Sequence, residues 1–329
     1  MLTLNGECWV ITDASAGNQR QALALAEQLQ MPSRHLLLEP RAPWSWLAPR
    51  LTLGGPLALP ASQRAWFAPP WPAVAIGCGR AAALFTRMLR PLSAGCCHTV
   101  QILDPRLDTL LWDTVIAPRH DGLEGSNVLR SLGSLNPVNQ EWLADGRDAC
   151  PEFDELPQPR VGVLLGGSRH GITLDADYAR DLAMYLLERR RKEGGSLLVL
   201  ASRRTPSALI EPFRSLLKGI PGLLWTGHDD GPNPYPGVLG WADRLVVTPD
   251  SVNMLSEACA VGRPVLTFVN APLPAKILRF HHALREAGLL HDIDSASLAA
   301  QPPMRETAQI AALVRARIAA AATRSAVDR

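Results

Sequence analysis

The sequence predicts an α/β protein built as two doubly wound parallel domains. Three observations carry that expectation. Short apolar or β-branched runs alternate with amphipathic segments. The runs end at Gly, Asp or His, in the positions where open parallel sheets gather ligand-binding residues. The series also starts twice, on either side of the charged, proline-containing stretch "DGRDACPEFDELPQPR". The expected organisation is a first domain over 1–145, a connection over 146–159, a second domain over 160–303 and a terminal helix over 304–329.

In the first series "CWVITD" reads as a strand, "ASAGN" as a small-residue turn and "QRQALALAEQL" as a helix. Ala22, Leu25, Ala26 and Leu29 recur at the i, i+3, i+4, i+7 spacing of a helix packed on a sheet. "AVAIGCGRAAALFTRML" is a strand, a glycine turn and a helix; "HTVQILD" and "DTVIAPRHD" are further strands. An insertion over about 40–72 holds four of the nine tryptophans, and its prolines oppose a long regular helix. Two readings stand for it. Trp44, Trp46, Trp66, Trp71 and Phe67 form an aromatic surface for lipid head groups or a greasy acceptor, helped by Arg41, Arg50 and Arg64, or they form a minor core beneath a long loop.

The second series opens with "VGVLLGGSRHG" and the helix "DADYARDLAMYLLERRRKE", closed by Gly194 and Gly195; its "ERRRKE" end is a solvated face. The strands and turns "SLLVLASRRTP", "GLLWTG", "RLVVTPDS" and "PVLTFVN" follow. In "TPDSVNMLSEACAVGRPV", Ser251 or Asp250 can cap a helix, Gly262 can end it and Pro264 bars its continuation. Val252, Leu255 and Cys259 fall on one face, with Asn253 and Glu257 on the other, so the pattern predicts a buried side and a wet side. "MRETAQIAALVRARIAAAATR" is a helix by propensity, with the first domain among the surfaces it can pack on.

Composition removes several classes. At 47% hydrophobic over 329 residues the chain can bury two ordinary cores. Its 33 basic and 31 acidic residues leave a charge of +2, and no basic stripe carries interleaved aromatics. Nucleic acid is therefore not an expected partner, and any anion site must be local. Six cysteines without a CxxC spacing, and a start lacking a charged leader and apolar core, point to reduced thiols and a cytoplasmic protein. The apolar runs fall short of the ~20 residues of a membrane helix, so a membrane would be met from its inner face, as a peripheral contact.

Three places in the second series direct donors at an anion. Gly166 and Gly167 allow backbone to approach a phosphate closely, beside Ser168 and Arg169. Ser202, Arg203 and Arg204 stand at a strand end, and the helix after "TPDS" points its positive end into the same crevice. A carboxylate one turn into that helix, Glu257, can accept both hydroxyls of a ribose, with Asp250 and Asn253 adding polar contacts. Phosphate at the tip and sugar on Glu257 describe a nucleotide, whose base Tyr235 could stack on or Asn233 bond in "GHDDGPNPYPG". No metal is expected. Asp175 with Asp177 lies at a helix start, where Asp caps, and Asp292 with Asp294 lies in a loop. His281 and His282 are adjacent and face different ways.

"EACAVGRPV" resembles the Glu-Ala-x-Ala-x-Gly-x-Pro-Val signature in the donor domain of many GT-B glycosyltransferases, and "GGS" is similar to their phosphate loop. Over nearly its whole length the chain resembles the family of mitochondrial fission (elongated-mitochondria-like) proteins, through "VIAPRHDGLEGSNVLRSLGSLN", "LLGGSRHG", "NPYPGVLGWADRLVVTPDSVNMLSEACAVGRPV" and "RFHHALREAG". The resemblance implies a GT-B-like pair of Rossmann-like domains facing across a cleft. It matches Gly166, Gly167 and Ser168 to the phosphate loop, Asp250 and Ser251 to the helix tip and Glu257 to the ribose-binding acid. One departure is that "RHGITL" intervenes before the helix near Asp175.

The expected activity is glycosyl transfer from a nucleoside-diphosphate sugar, a substrate rather than a cofactor, to an acceptor at a membrane or envelope surface or carried on lipid. The catalytic base is sought among Asp13, His120 and Asp121 at strand ends of the first domain, His120 because the unperturbed pKa of a histidine lies near neutrality. The alternatives are a sugar-nucleotide epimerase on the same fold and a non-catalytic adaptor that meets a membrane through the tryptophan-rich insertion.

Overall fold

The computed structural model describes residues 6–295 and 301–327, so the first five residues of the start that was read for a leader lie outside it. The chain divides into two compact units, residues 1–137 with 306–329 and residues 138–305.

The first unit runs β1 (Cys8–Thr12), α1 (Ala16–Leu29), β2 (Ser33–Leu37), two single turns α2 (Trp44–Leu47) and α3 (Ala61–Arg64), β3 (Val74–Cys78), α4 (Gly79–Leu92), β4 (His98–Ile102), β5 (Thr114–Pro118) and β6 (Val128–Ser131). All six strands are parallel, in the order β2-β1-β3-β4-β5-β6. Strands β1, β3, β4 and β5 are buried along their full length, as a sheet covered on both faces requires; β1, β3 and β5 accordingly read as largely apolar runs, while β4 buries His98, Thr99 and Gln101. One sheet face packs Val10, Ile76 and Val100 against Ala22 and Leu25 of α1. The other packs Trp9 and Ile11 against Phe67, Phe85 and Leu89.

The insertion supplies a minor core with some of its aromatic residues and leaves others on the surface. Phe67 is buried, and Trp44 and Trp71 pack half-buried onto the Trp9 cluster, with Phe67 and Trp71 edge to face. Trp46 and Trp66 remain on the surface, 73% and 40% exposed.

The second unit begins earlier than the expected connection. Helix α5 (Gln140–Ala149) starts where the Asn139 side chain accepts the Trp142 N–H at 2.8 Å. The charged stretch after it folds onto the unit instead of spanning open solvent: buried Arg160 donates to the Asp154 carboxylate and the Leu156 carbonyl, and its guanidinium lies 5.0 Å from the Trp241 ring. There follow β7 (Arg160–Leu165), α6 (Ala176–Glu193), β8 (Ser196–Ala201), α7 (Ser207–Leu216), β9 (Gly222–Trp225), α8 (Tyr235–Trp241), β10 (Arg244–Val247), α9 (Val252–Val261), β11 (Val265–Thr267), α10 (Ala275–Glu286) and β12 (His291–Asp292). This sheet is also parallel, ordered β12-β11-β10-β7-β8-β9. The chain leaves β7 to build β8 and β9 on one side and returns to build β10, β11 and β12 on the other.

Helix α11 (Glu306–Val327) belongs to the first unit. Its Ile310, Ala311 and Val314 complete the core under α1. The Glu306 carboxylate accepts the Leu132 N–H at 2.9 Å and the Gly133 N–H at 3.0 Å.

Candidate functional site

The strand order of the second sheet reverses between β7 and β10, and in open α/β sheets ligands bind outside the carboxyl ends of strands at such a point. Two segments leave there side by side, the loop Gly166–Arg169 and the turn Thr248–Asp250. The Gly166 N–H donates to Thr248 Oγ at 2.8 Å and the Gly167 N–H to the Asp250 carboxylate at 3.3 Å. Thr248 Oγ donates to the same carboxylate at 2.7 Å, and Arg204 pairs with it at 2.9 Å.

Asp250 was expected to offer a ligand a polar contact. Its carboxylate is instead turned inward and fully buried, where those three donors hold its charge. This explains the glycines. A Cβ at Gly166 would lie 2.0 Å from Asp250 Oδ1, and one at Gly167 2.2 Å from the Arg204 carbonyl oxygen. Ser168 also serves the loop: its hydroxyl bridges the Leu174 N–H and carbonyl, while Arg169 and Ile172 exchange two backbone hydrogen bonds. The "RHGITL" segment is thus a tight hairpin closed on Ser168.

Three cationic side chains reach solvent from this loop cluster. Arg169 is exposed and anchored through one nitrogen to the Asp250 carbonyl, Arg203 is exposed, and Arg204 is half exposed with its tip on Asp250. Ser202 Oγ meets Thr205 Oγ at 3.0 Å, and Thr205 Oγ also lies 2.8 Å from the Leu165 carbonyl, locking the β8 turn to the end of β7. Neither Thr205 nor Thr248 stood out in the sequence, because a lone threonine after a strand carries no pattern.

Helix α9 starts immediately after Asp250. Ser251 is the cap, its Oγ accepting the Met254 N–H at 3.3 Å, and Gly262 ends the helix in the left-handed region at φ 85°. The expected wet face is corrected: Leu255 to Ala260 are buried without a break, Glu257 included, at 2% exposure. The first turn, with Asn253 half-buried, and the last residue, Val261, approach solvent. A buried carboxylate requires a donor, and the Tyr235 hydroxyl supplies one to Glu257. Tyr235, expected to stack on a base, thus stands against the proposed ribose acid. Asn233, the other base-binding candidate, accepts the Tyr235 N–H at 3.0 Å in the turn before α8.

Two buried groups behind the site titrate away from their ordinary values. His281 is fully buried, with its Nε2 3.0 Å from the Pro249 carbonyl; burial lowers its pKa to about 4. The ring is therefore neutral and donates from Nε2 to that carbonyl. Burial, with the Asp250 charge adding to it, pushes the Tyr178 phenol up; its hydroxyl donates to the Phe268 carbonyl. His282 is exposed, on a different side of α10 from His281. Among the described residues no three His, Cys, Asp or Glu side chains are grouped to hold a metal ion.

In the first unit the order reverses between β1 and β3. Asp13 lies at that point, half-buried, accepting the Ser15 N–H at 2.9 Å and the Asn18 amide at 3.0 Å. Beside it the Cys78 thiol meets Asn18, and burial, with Asp13 adding to it, pushes that thiol up, so it is no nucleophile. His120 and Asp121 lie elsewhere, after β5. Their side chains are nearly inaccessible, at 3% and 4%, and meet at 3.5 Å.

The family model described as Mitochondrial fission ELM1 matches residues 16–318. Mitochondrial fission protein ELM1 of Arabidopsis thaliana is 31% identical over 278 residues, covering 76% of this chain; the chain spans 64% of the length of that relative. Among solved structures, UDP-GlcNAc 2-epimerase from Methanocaldococcus jannaschii superposes with a TM-score of 0.58 at 11% identity, covering 94% of this chain and 99% of the other. Os79 from O. sativa in complex with UDP superposes with a TM-score of 0.54 at 12% identity, covering 97% and 94%. At these identities the likeness is one of fold, a GT-B-like pair of Rossmann-like units.

Proposed function

The chain belongs to the mitochondrial fission ELM1 family, and from that premise and the site above we propose that its second unit binds a nucleoside-diphosphate sugar and that the protein is a glycosyltransferase. The observation that carries the reading is a coincidence of charges at the β7/β10 reversal. Arginines 169, 203 and 204 reach solvent beside the amino end of α9, and a buried carboxylate sits inside that helix at Glu257. A diphosphate is served by the guanidinium groups and by the amides of the first turn, where the helix carries roughly half a positive charge. Ribose hydroxyls take over the acceptance by Glu257 that the Tyr235 hydroxyl now uses. Two structures sharing the fold support the donor class, one being of a UDP-GlcNAc 2-epimerase and one containing UDP.

Transfer requires that an acceptor hydroxyl lose its proton as its oxygen attacks the anomeric carbon and the nucleoside diphosphate departs. The arginines stabilise the leaving diphosphate. Of the three base candidates, half-exposed Asp13 at the β1/β3 reversal is preferred over buried His120 and Asp121. The acceptor is proposed to reside at a membrane or envelope surface.

The test is a calorimetric and thermal-shift series of nucleoside diphosphates and their sugars against the intact chain and Glu257→Gln. A nucleotide at ~100 times its Kd adds about 2.7 kcal/mol of stability; the expected result is such a gain in the wild type, largely lost in the variant. If no nucleotide stabilises the wild type more than the variant, the donor site is wrong. Epimerisation, favoured by the fold likeness to an epimerase, would leave label from the sugar on the nucleotide, whereas transfer moves it to an acceptor.

A further inference from the structure

Between Glu39 and Asp104 the chain has no acidic residue, yet it carries Arg41, Arg50, Arg64, Arg80, Arg87 and Arg90. The whole chain is almost balanced at 33 basic and 31 acidic residues, so this segment is strongly one-signed. Among the described residues it also holds six of the twelve exposed large apolar side chains. Trp46 is 73% exposed, Leu53 83% and Leu57 52%, with Leu47, Trp66 and Leu92 also on the surface.

The fold lays residues 44–57, which carry Trp46, Leu47, Leu53 and Leu57, as a strip beside the arginines of α4. Arg80 donates to the Ser45 carbonyl and Arg87 to those of Pro49 and Arg50, strapping residues 44–57 along α4. The Trp44 indole N–H secures the Leu53 carbonyl at 2.8 Å, which leaves the Leu53 side chain outside. A cavity of about 400 Å³ opens under the strap, lined in part by Thr52, Gly55, Met88, Leu92 and Leu111. Asp113 pairs with Arg90 at 3.2 Å. Arg41 and Arg50 are exposed, and their side chains form no ion pair among the described residues.

We propose that this strip docks on an anionic lipid bilayer, with Trp46, Leu53 and Leu57 entering the interface and Arg41 and Arg50 lying at the level of the lipid phosphates. The charge and the side-chain types argue together. Indoles favour the head-group layer, leucines the acyl boundary beneath it, and guanidinium groups the phosphates. No described helix is long and apolar enough to cross a membrane, so the contact is made from the side. The proposal gives the membrane-surface acceptor a place to be met, and it is independent of the donor reading: Glu257→Gln leaves it untouched.

Flotation of the intact chain with vesicles tests it. Phosphatidylcholine vesicles with about one-third phosphatidylglycerol are expected to bind at least about tenfold more protein than phosphatidylcholine alone. Arg41→Glu with Arg50→Glu, and separately Trp46→Ser with Leu53→Ser, each reduce that binding about tenfold, because one removes the attraction and the other the insertion. Arg180→Glu with Met184→Ser, a matched exposed pair on the second unit, leaves it unchanged. All substituted residues are surface-exposed, and unchanged thermal unfolding is the check that each variant is folded. Equal binding to both vesicle types, no binding, retention by both first-unit variants, or an equal fall in the second-unit pair overturns the proposal.

Discussion

Asp250 is the fully buried carboxylate around which the loop and the turn close. Its buried charge is held by Thr248, Gly167 and Arg204, of which only Arg204 has water as an alternative partner. Asp250→Ala is therefore expected to lower stability by about 2–4 kcal/mol, read from urea denaturation; an unchanged midpoint would mean that the loop does not depend on its internal anion. Tyr235 gives the opposite sign for the ligand. Its hydroxyl occupies the acid that ribose needs, so Tyr235→Phe should lower the stability of the unliganded protein by about 1–3 kcal/mol while leaving nucleotide affinity equal or tighter. Weaker binding in that variant would show that Tyr235 touches the nucleotide itself. His281 sets a pH window. With a folded pKa of about 4 against 6.5, the unfolded chain takes up a proton that the folded chain refuses, so stability is retained above pH 6.5 and lost as pH falls toward 4. The loss amounts to about 3 kcal/mol if His281 alone titrates, and denaturation midpoints of His281→Phe across the same range should lack that component.

Helix α9 can be judged end by end. Its limits were legible because caps have chemical signatures: Ser251 accepts the Met254 N–H, and Gly262 takes a φ of 85° that a side chain resists. Ser251→Ala and Gly262→Ala are each expected to cost about 1 kcal/mol, measured by the same denaturation. The middle of the helix was misread, because its periodicity gives a polar stripe and cannot say what lies over that stripe. Here α8 lies over it, and α8 was itself illegible, since "NPYPG" reads as a turn although Pro236 is compatible with a helix's first turn. Strand β2 escaped for a related reason. At the sheet edge it has only Leu36 buried, and Ser33, Arg34 and His35 give no apolar run. Strands β7, β8 and β10, buried from end to end in the sheet interior and apolar after their first residue, were plain from the residues alone. The site's location could thus be read from strand ends, whereas the inward turn of Asp250 and the Tyr235–Glu257 pairing depend on side-chain directions that no local pattern encodes.

At the scale of the molecule, the chain leaves the first unit after Pro137 and rejoins it at Glu306. The first unit is therefore assembled from distant parts of the sequence, and its closing piece arrives last. That piece is more than a covering. Glu306 caps the Leu132 and Gly133 amides, Thr307 exchanges hydrogen bonds with the Asn136 backbone at 2.8 and 3.0 Å, and Ile310, Ala311 and Val314 fill the core beneath α1. Burying a Val or Ile side chain contributes about 1.5–3 kcal/mol, so two such residues with the hydrogen bonds rival the roughly 5–15 kcal/mol that holds a whole domain. Ending the chain before Glu306 is accordingly expected to unfold the first unit, or bring it close to unfolding, while the second unit, whose core draws on none of these residues, keeps its fold. Hydrogen exchange read peptide by peptide distinguishes the outcomes. Loss of protection confined to β1, β3, β4 and α1 supports a first unit clasped by α11. Unaltered protection there would mean that α11 rests on a unit already complete without it, and equal loss in β7, β8 and β10 would mean that the two units unfold as one.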